Sequence, residues 1–284
     1  MVIKMIQKYD LHIHTKNSDG ELDVFQIVEK LKEKNIKYFS VTDHDNFDSV
    51  KQIENCDLEN LVYLKGVEIS SILDNKYKMH ILGYNFDENN EELSNLCNKI
   101  RNNRIKRLLS IVDYVENKFG LTFNDKDIQY IVENVVIPGR PHLARLMLQY
   151  GYVSSIPEAF DKYLNDVKIN FTHREDAMIV IDTIHESGGV AILAHPKKVE
   201  KKYNIDLELL MPKLLEIGLD GIEIGNTLHS LDDCKRYMEI AKKYNLLTSA
   251  GSDYHGPIVK PKVKLGLIFD QDYNYEGHIN ILKR

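Results

Sequence analysis

The sequence is poor in cysteine, carries no surplus of positive charge and contains no apolar run of membrane-spanning length. Cys56, Cys97 and Cys234 are odd in number, far apart and form no CxxC pair. That excludes a disulfide framework and a thiolate zinc site, and fits idle thiols in a reducing compartment. The net charge of −6 removes any overall attraction to long nucleic acid, so a phosphate-bearing substrate must be drawn in by a local positive site. The opening MVIKMIQKYD has too short an apolar run for a signal peptide, which makes a cytoplasmic location the expectation. Internal repeats, low-complexity segments and long blocks of like charge are also missing. What is there is ordinary for a globular chain: 284 residues, 43% hydrophobic and 28% charged, enough for one large domain or a domain with an elaborate insertion.

Strand-like and helix-like patterns alternate in the first part of the chain. KYDLHIHT alternates as a strand does, and DVFQIVEKLKEKN sets Phe25, Ile27, Val28 and Leu31 on one helical face. IKYFSVTDHD is a second apolar run. LVYLKGVEIS and KYKMHILGY read as two further strands, with SILDNK between them as a hairpin turn. The stretch from Asp87 to Val167 reads as all-helical, beginning with one long helix closed by Gly120. Strand–helix alternation then resumes through GVAILAHP, LDGIEIGN and LLTSAGSDYHG, with VKLGLIFD as a candidate last strand. About seven such steps predict an α/β fold with a parallel sheet. The expected form is a distorted (β/α)7 TIM-like barrel, with a helical insertion after the fourth strand and an open doubly wound sheet as the alternative. The expected boundaries are 1–86 with 168–284 for the barrel and 87–167 for the insertion.

Titratable side chains gather where these strands end. His12 and His14 are two residues apart in a strand and so face one side, with Asp19 in the following loop. His44 ends the second strand, and Glu68 and His80 lie on the third and fourth. His195 follows the fifth, and Asp253 and His255 follow the last. Six of the eleven histidines are in this set. A lone histidine on an apolar strand is usually a satisfied core residue, but that reading would have to hold at six strand ends. Carboxyl ends of strands in a β/α barrel share one face, where active sites form. Imidazoles and carboxylates without thiolates suit Mn, Fe or Zn. Nine donors are too many for one ion and fit two or three divalent ions sharing carboxylates. Asp45 is left open between bracing an imidazole and capping the helix that follows.

The ordered set HxH…D, TDHD, GVEIS, MHILGY, LAHP and GSDYHG resembles the PHP (polymerase and histidinol phosphatase) family of metal-dependent phosphoesterases, from Asp10 to about Gly256. The resemblance implies a trinuclear site at the carboxyl face of the barrel. It places His12, His14, Glu68 and Asp253 on one ion. Glu68, His80 and His195 would hold a second, and Asp19, His44 and His255 a third. Hydroxide generated on the ions would attack phosphorus, with His195 or His255 as candidate proton donors to the leaving group.

IPGRPHLARLM resembles a segment of one branch of that family, which holds nucleoside 3′,5′-bisphosphate phosphatases and 5′-to-3′ exonucleases acting on short RNA. It makes Arg140, His142 and Arg145 candidate substrate contacts, Arg140 through a bidentate fork at a helix N-terminus. Lys197, beside Lys198, is a further candidate on the rim of the site. Arg101, Arg104 and Arg107 drift around the long helix and read as solvated positions. His173 is left between the site and helix entry, and His185, His229 and His278 read as surface histidines. The expected substrate is a small nucleotide or the 5′ end of a short oligoribonucleotide, with no long nucleic acid, no membrane and no implied oligomeric state. The alternatives are a histidinol phosphate phosphatase, which would favour an acidic residue deep in the pocket, and a non-catalytic metal-binding module.

Overall fold

The computed structural model describes residues 8–167, 169, 171–266 and 279–283. They fall in two compact units, residues 97–174 and the remainder on both sides of that stretch.

The larger unit begins with β1 (Lys8–Ile13), α1 (Val24–Glu33) and β2 (Ile36–Val41). Asp23 opens α1 with a capping box: its side chain accepts from the Gln26 N–H while the Gln26 side chain accepts from the Asp23 N–H. Helical periodicity places Phe25 on the inner face, but Val24, Ile27, Val28 and Leu31 are buried and Phe25 is exposed. The short α2 (Ser49–Ile53) follows, and then the apolar run LVYLKGVEIS divides in two. β3 (Val62–Tyr63) pairs with β2, whereas β4 (Gly66–Leu73) joins a different sheet. The break at Gly66 has a steric reason. A Cβ there would come within 2.1 Å of Ser40 Oγ and 2.7 Å of Thr42 Cγ2, so only glycine lets the chain pass so close to the end of β2.

β5 (Tyr77–Tyr84) runs antiparallel to β4. The turn between them places Asp74 and Asn75 at φ +56° and +52°, the left-handed pair that a tight hairpin demands and that these residue types tolerate. The anticipated turn is therefore present, and it makes the sheet mixed rather than parallel. α3 (Glu91–Phe119), α4 (Asp125–Asn134), α5 (Arg140–Gln149) and α6 (Ile156–Ala159) come next. β6 (Glu175–Asp176), α7 (Ala177–Glu186), β7 (Val190–Leu193), α8 (Pro196–Tyr203), α9 (Leu207–Glu216), β8 (Gly221–Gly225), α10 (Leu231–Lys243) and β9 (Leu247–Ala250) complete the described elements that position the site. The residues after His195, Lys197 and Lys198 among them, form α8.

One sheet has the order β1-β2-β3 and the other β6-β4-β5-β7-β8-β9. Single bridges link the end of β1 to the segment after β9, Ile13 with Tyr254, and the segment after β2 to β4, His44 with Glu68. At the end of β9, a Cβ on Gly251 would lie 2.3 Å from both the Cβ and the N of His12, so β9 can reach β1 only through a glycine. The candidate strand VKLGLIFD lies partly, and His278 wholly, outside the described residues.

The regular elements of the smaller unit are all helices among its described residues. Leu108, Ile111 and Val115 of α3 pack with Leu143 and Met147 of α5 and with Leu164. Gly120, at φ +67°, ends α3 in the left-handed conformation. Among the described residues, no helix is long and apolar enough to cross a membrane.

Candidate metal centre

Glu68 organises the site. It lies in the middle of β4, a strand buried along its whole length, and its carboxylate is fully enclosed. Five imidazoles surround it. His80 Nδ1 and His195 Nε2 each lie 2.8 Å from Oε1. His44 Nδ1, His14 Nε2 and His12 Nε2 lie 3.0, 3.2 and 3.3 Å from Oε2. Oε2 and these last three nitrogens are buried without a hydrogen bond of acceptable geometry. A buried carboxylate oxygen shared by three unsatisfied ring nitrogens is a poor hydrogen-bond arrangement and a good cradle for cations.

The remaining donors extend the cluster outward. Asp253 Oδ1 is 3.6 Å from His12 Nε2 and 3.3 Å from His14 Nε2. Asp19 approaches His255 Nε2 at 3.2 Å, His14 Nδ1 at 3.8 Å and His44 Nε2 at 3.9 Å. Three groups could each hold an ion: His12, His14, Glu68 and Asp253; His44, Glu68 and His80; and His14, Asp19, His44 and His255. All nine side chains proposed as ligands from the sequence converge here. Three stand differently from the expected allocation. His14 and His44 each belong to two groups, and His195 touches Glu68 Oε1 from outside them.

Burial penalises charge on His12, His14, Glu68, Asp19 and Asp253, and opposite charges override it there. Against that penalty, the carboxylates of Glu223 and Glu68 hold the His12 imidazole well above its ordinary range. Asp253 and Glu68 likewise push His14 up to about 9. The imidazoles of His80, His44 and His12 hold Glu68 well below the usual carboxylate range despite its burial. Asp253 is lowered through His14 and His12, and Asp19 through His44 and His255, again against burial. At the margin, burial wins: it pulls His195 down, and with the neighbouring His14 it takes His255 down to about 4. Without ions, protons on His12 and His14 supply the positive charge that the buried carboxylates require. The donor set fits divalent cations of the Mn, Fe and Zn type.

Several residues that brace the ligands escaped the sequence reading. Asp43, fully buried, accepts from the Thr15 N–H and hydroxyl at 2.7 Å and the Ser18 hydroxyl at 2.6 Å, which pins the loop carrying Asp19. Asp10 accepts from the Ser252 N–H and hydroxyl and from the Gly266 N–H, tying β1 to the loop that carries Asp253. Lys260 donates to Asp253 Oδ2 at 2.6 Å, on the far side from the histidines. Glu223 lies on β8 and receives three donors. The readable signal for Asp10, Asp43 and Glu223 is a carboxylate inside an apolar run, which must be compensated if the strand is buried. Asp45, at φ +47°, accepts from the Ser70 N–H at 2.6 Å, fastening the end of β2 to β4.

The PHP domain family matches residues 10–166. The chain belongs to the PHP family. It is 31% identical over 259 residues to a 5′-3′ exoribonuclease of Haemophilus influenzae, covering 89% of this chain and 92% of that protein. It is 27% identical over 251 residues to a 3′,5′-nucleoside bisphosphate phosphatase of Chromobacterium violaceum, covering 87% of each. A solved amidohydrolase structure from Chromobacterium violaceum shares the fold, with a TM-score of 0.75 at 24% identity over 96% of both chains.

The proposed substrate contacts of this PHP protein divide between the two units. Arg140 opens α5, donates to the Leu164 carbonyl at 3.1 Å and lies over the Phe160 ring. His142 is half-buried and Arg145 exposed. Arg101 and Arg107, read as solvated, are half-buried and donate to the carbonyls of Val132 and Phe171. Lys197, in the larger unit, is paired with Asp233. His185 is paired with Asp220 at 2.7 Å. His229 is not a free surface histidine: its ring packs on Tyr237, Nδ1 lies 3.2 Å from the Ile224 carbonyl, and burial takes its pKa down to about 4.

Proposed function

We propose that the chain is a metal-dependent phosphoesterase that hydrolyses a phosphate ester of a small nucleotide, either a nucleoside 3′,5′-bisphosphate or the 5′ end of a short oligoribonucleotide. The observation that carries this is the convergence of five imidazoles on the enclosed Glu68 carboxylate, flanked by Asp19, Asp253 and His255. Relatives of similar length that bear those two activities support the substrate class. The mixed sheets and their connecting bridges are read as a distorted (β/α)7 barrel, with residues 87–167 as a helical insertion in its sequence. Two or three ions of the Mn, Fe or Zn type are assigned to the nine ligands, and the cytoplasm is the assigned location.

Divalent ions held by these residues would supply hydroxide at neutral pH and neutralise the charge that develops on the phosphoryl oxygens. The chain's own groups do the rest. Glu68, His12, His14 and Asp253 fix the geometry within a dry cluster. Arg140 offers its remaining N–H donors to a phosphate. Arg107 shares its neighbourhood: burial and the Arg140 charge both lower the Arg107 pKa, and among the described residues neither guanidinium is paired with a carboxylate. Two cations kept close without a counter-ion favour an anionic ligand. Of the two proton-donor candidates, His255 has both nitrogens engaged, with Asp253 and Asp19, whereas His195 retains a partnerless Nδ1.

The test is a chelate-and-reload assay on a nucleoside 3′,5′-bisphosphate, a 5′-phosphorylated oligoribonucleotide and histidinol phosphate side by side. Metal-restored turnover of the first or second is expected. Turnover of histidinol phosphate alone rejects the nucleotide reading, and full metal loading without hydrolysis of any phosphoester rejects the enzyme.

A further inference from the structure

Glu223 takes no place among the proposed ligands, yet it touches two of them. It is fully buried on β8. Its Oε1 lies 2.9 Å from His12 Nδ1. Its Oε2 accepts from the His195 backbone N–H at 2.6 Å and from Asn226 Nδ2 at 3.1 Å. The Asn226 amide is oriented by its other end, since Oδ1 accepts from the Leu228 N–H. His195 holds an unusual backbone, with φ +28° and ψ +62°, which a residue other than glycine adopts only under outside constraint.

We infer that Glu223 is the positioning residue of the centre: it keeps the His12 proton on Nδ1, so that Nε2 is free to bind a cation, and it holds the strained His195 turn in place. The inference rests on the reading of His12 as a metal ligand. A carboxylate offers two acceptor oxygens, one for the His12 ring and one for the His195 and Asn226 donors. An isosteric amide offers one acceptor and one donor. If its oxygen stays with His195 and Asn226, two hydrogen bonds survive and its NH2 faces His12 Nδ1. The ring must then accept there and move its proton to Nε2, the atom turned toward Glu68 and Asp253. The reverse orientation keeps one hydrogen bond and strands two buried donors, so it is disfavoured. Glu223→Gln therefore gives His12 the wrong tautomer, by one atom exchange and with almost no change in volume.

The test uses the full-length chain with histidine nitrogens labelled, and zinc as the probe. Long-range nitrogen–proton correlation spectra locate the ring proton, with His12 assigned by its loss in His12→Gln. In the zinc-loaded wild type, His12 is expected to carry its proton on Nδ1. In Glu223→Gln it is expected on Nε2, with zinc affinity at the His12 group lower by on the order of 10–100-fold. The His44, Asp19 and His255 group should keep its ion. Glu223→Asp, which retains two acceptors, should restore the Nδ1 proton. A Glu223→Gln protein that melts earlier but keeps the wild-type proton position and zinc affinity overturns the inference, because that is the mark of a purely structural role. Should that variant not fold, an Nε2 proton on His12 in the zinc-loaded wild type overturns it alone. Wild-type protein that takes up zinc without engaging His12 refutes the metal reading instead, and the inference falls with it.

Discussion

Stripped of metal, the protein should lose stability as the pH is raised from neutral, the reverse of what carboxylate titration gives. His14 is the cause. It is fully buried between Glu68 at 3.2 Å and Asp253 at 3.3 Å, and its pKa rises from an ordinary 6.5 to about 9. Because the folded value lies above the unfolded one, the folded state binds the proton more tightly. The associated stability is fully present below pH 6.5 and is lost as the pH rises through 9. Each tenfold gain in proton affinity on folding is worth about 1.4 kcal/mol, which makes the His14 contribution roughly 3 kcal/mol. His12, also raised, adds to the same limb.

The acid side has the opposite sign. His255 and His229 are lowered to about 4, so each adds stability as the pH rises from 4 to 6.5. Burial raises Asp10 to about 6, which opposes part of that gain between pH 3.8 and 6. Urea unfolding in the presence of a chelator, at intervals from about pH 5 to 9.5, should give a dome with its maximum near pH 6.5 and a fall of roughly 3 kcal/mol on the alkaline side. His14→Gln should reduce that alkaline fall and leave the part that belongs to His12. The zinc-loaded enzyme should not show the fall, because an ion then takes the place of the proton. Chelated wild type that is flat or gains stability from pH 6.5 to 9 would refute the electrostatic account of the cluster.

Glu68→Gln removes the charge that five imidazoles share, so zinc stoichiometry should fall by at least one ion and phosphoester hydrolysis by on the order of 100-fold or more, as read by metal analysis and a phosphate-release assay. Gly251→Ala drives a methyl group to 2.3 Å from the Cβ and N of His12. It should cost about 1–3 kcal/mol in urea unfolding and weaken zinc binding, whereas the same change at Gly120, which meets nothing within 4 Å, should leave zinc binding intact. Chelation should remove ions in order of exposure. The Asp19 side chain is 41% exposed, against 0% for His12, His14 and Glu68 and 6% for Asp253, so timed chelator quenching should show one fast and one slow phase, with Asp19→Asn abolishing the fast one.

The ligands were readable because strand geometry does most of their placement. His12 is on β1 with His14 just past its end, two apart; His44, His195 and Asp253 follow strand ends, and Glu68 and His80 lie within the paired strands β4 and β5, so the order of the strands gathers most of the donors. The turn between β4 and β5 was readable for the same local reason. Its consequence was not: an antiparallel pair inside a presumed parallel sheet follows from the hairpin only once β5 is known to pair with β7 as well. The division of LVYLKGVEIS between two sheets depends on the clearance around Gly66, which is a tertiary fact.

The bracing residues were hidden by a different physics. Asp10, Asp43 and Glu223 look like isolated polar interruptions of apolar strands, and only the donors that reach them across the fold explain why they are there. A buried carboxylate is costly unless its lone pairs are filled. A chain that places three such groups beneath its ligands must therefore also supply Ser252, Thr15, Ser18 and the His195 N–H as donors. The ligand shell is thus as much a property of its backing as of the imidazoles themselves. Of the three, only Glu223 bonds directly to a ligand ring; Asp10 and Asp43 act through the loops that carry the ligands.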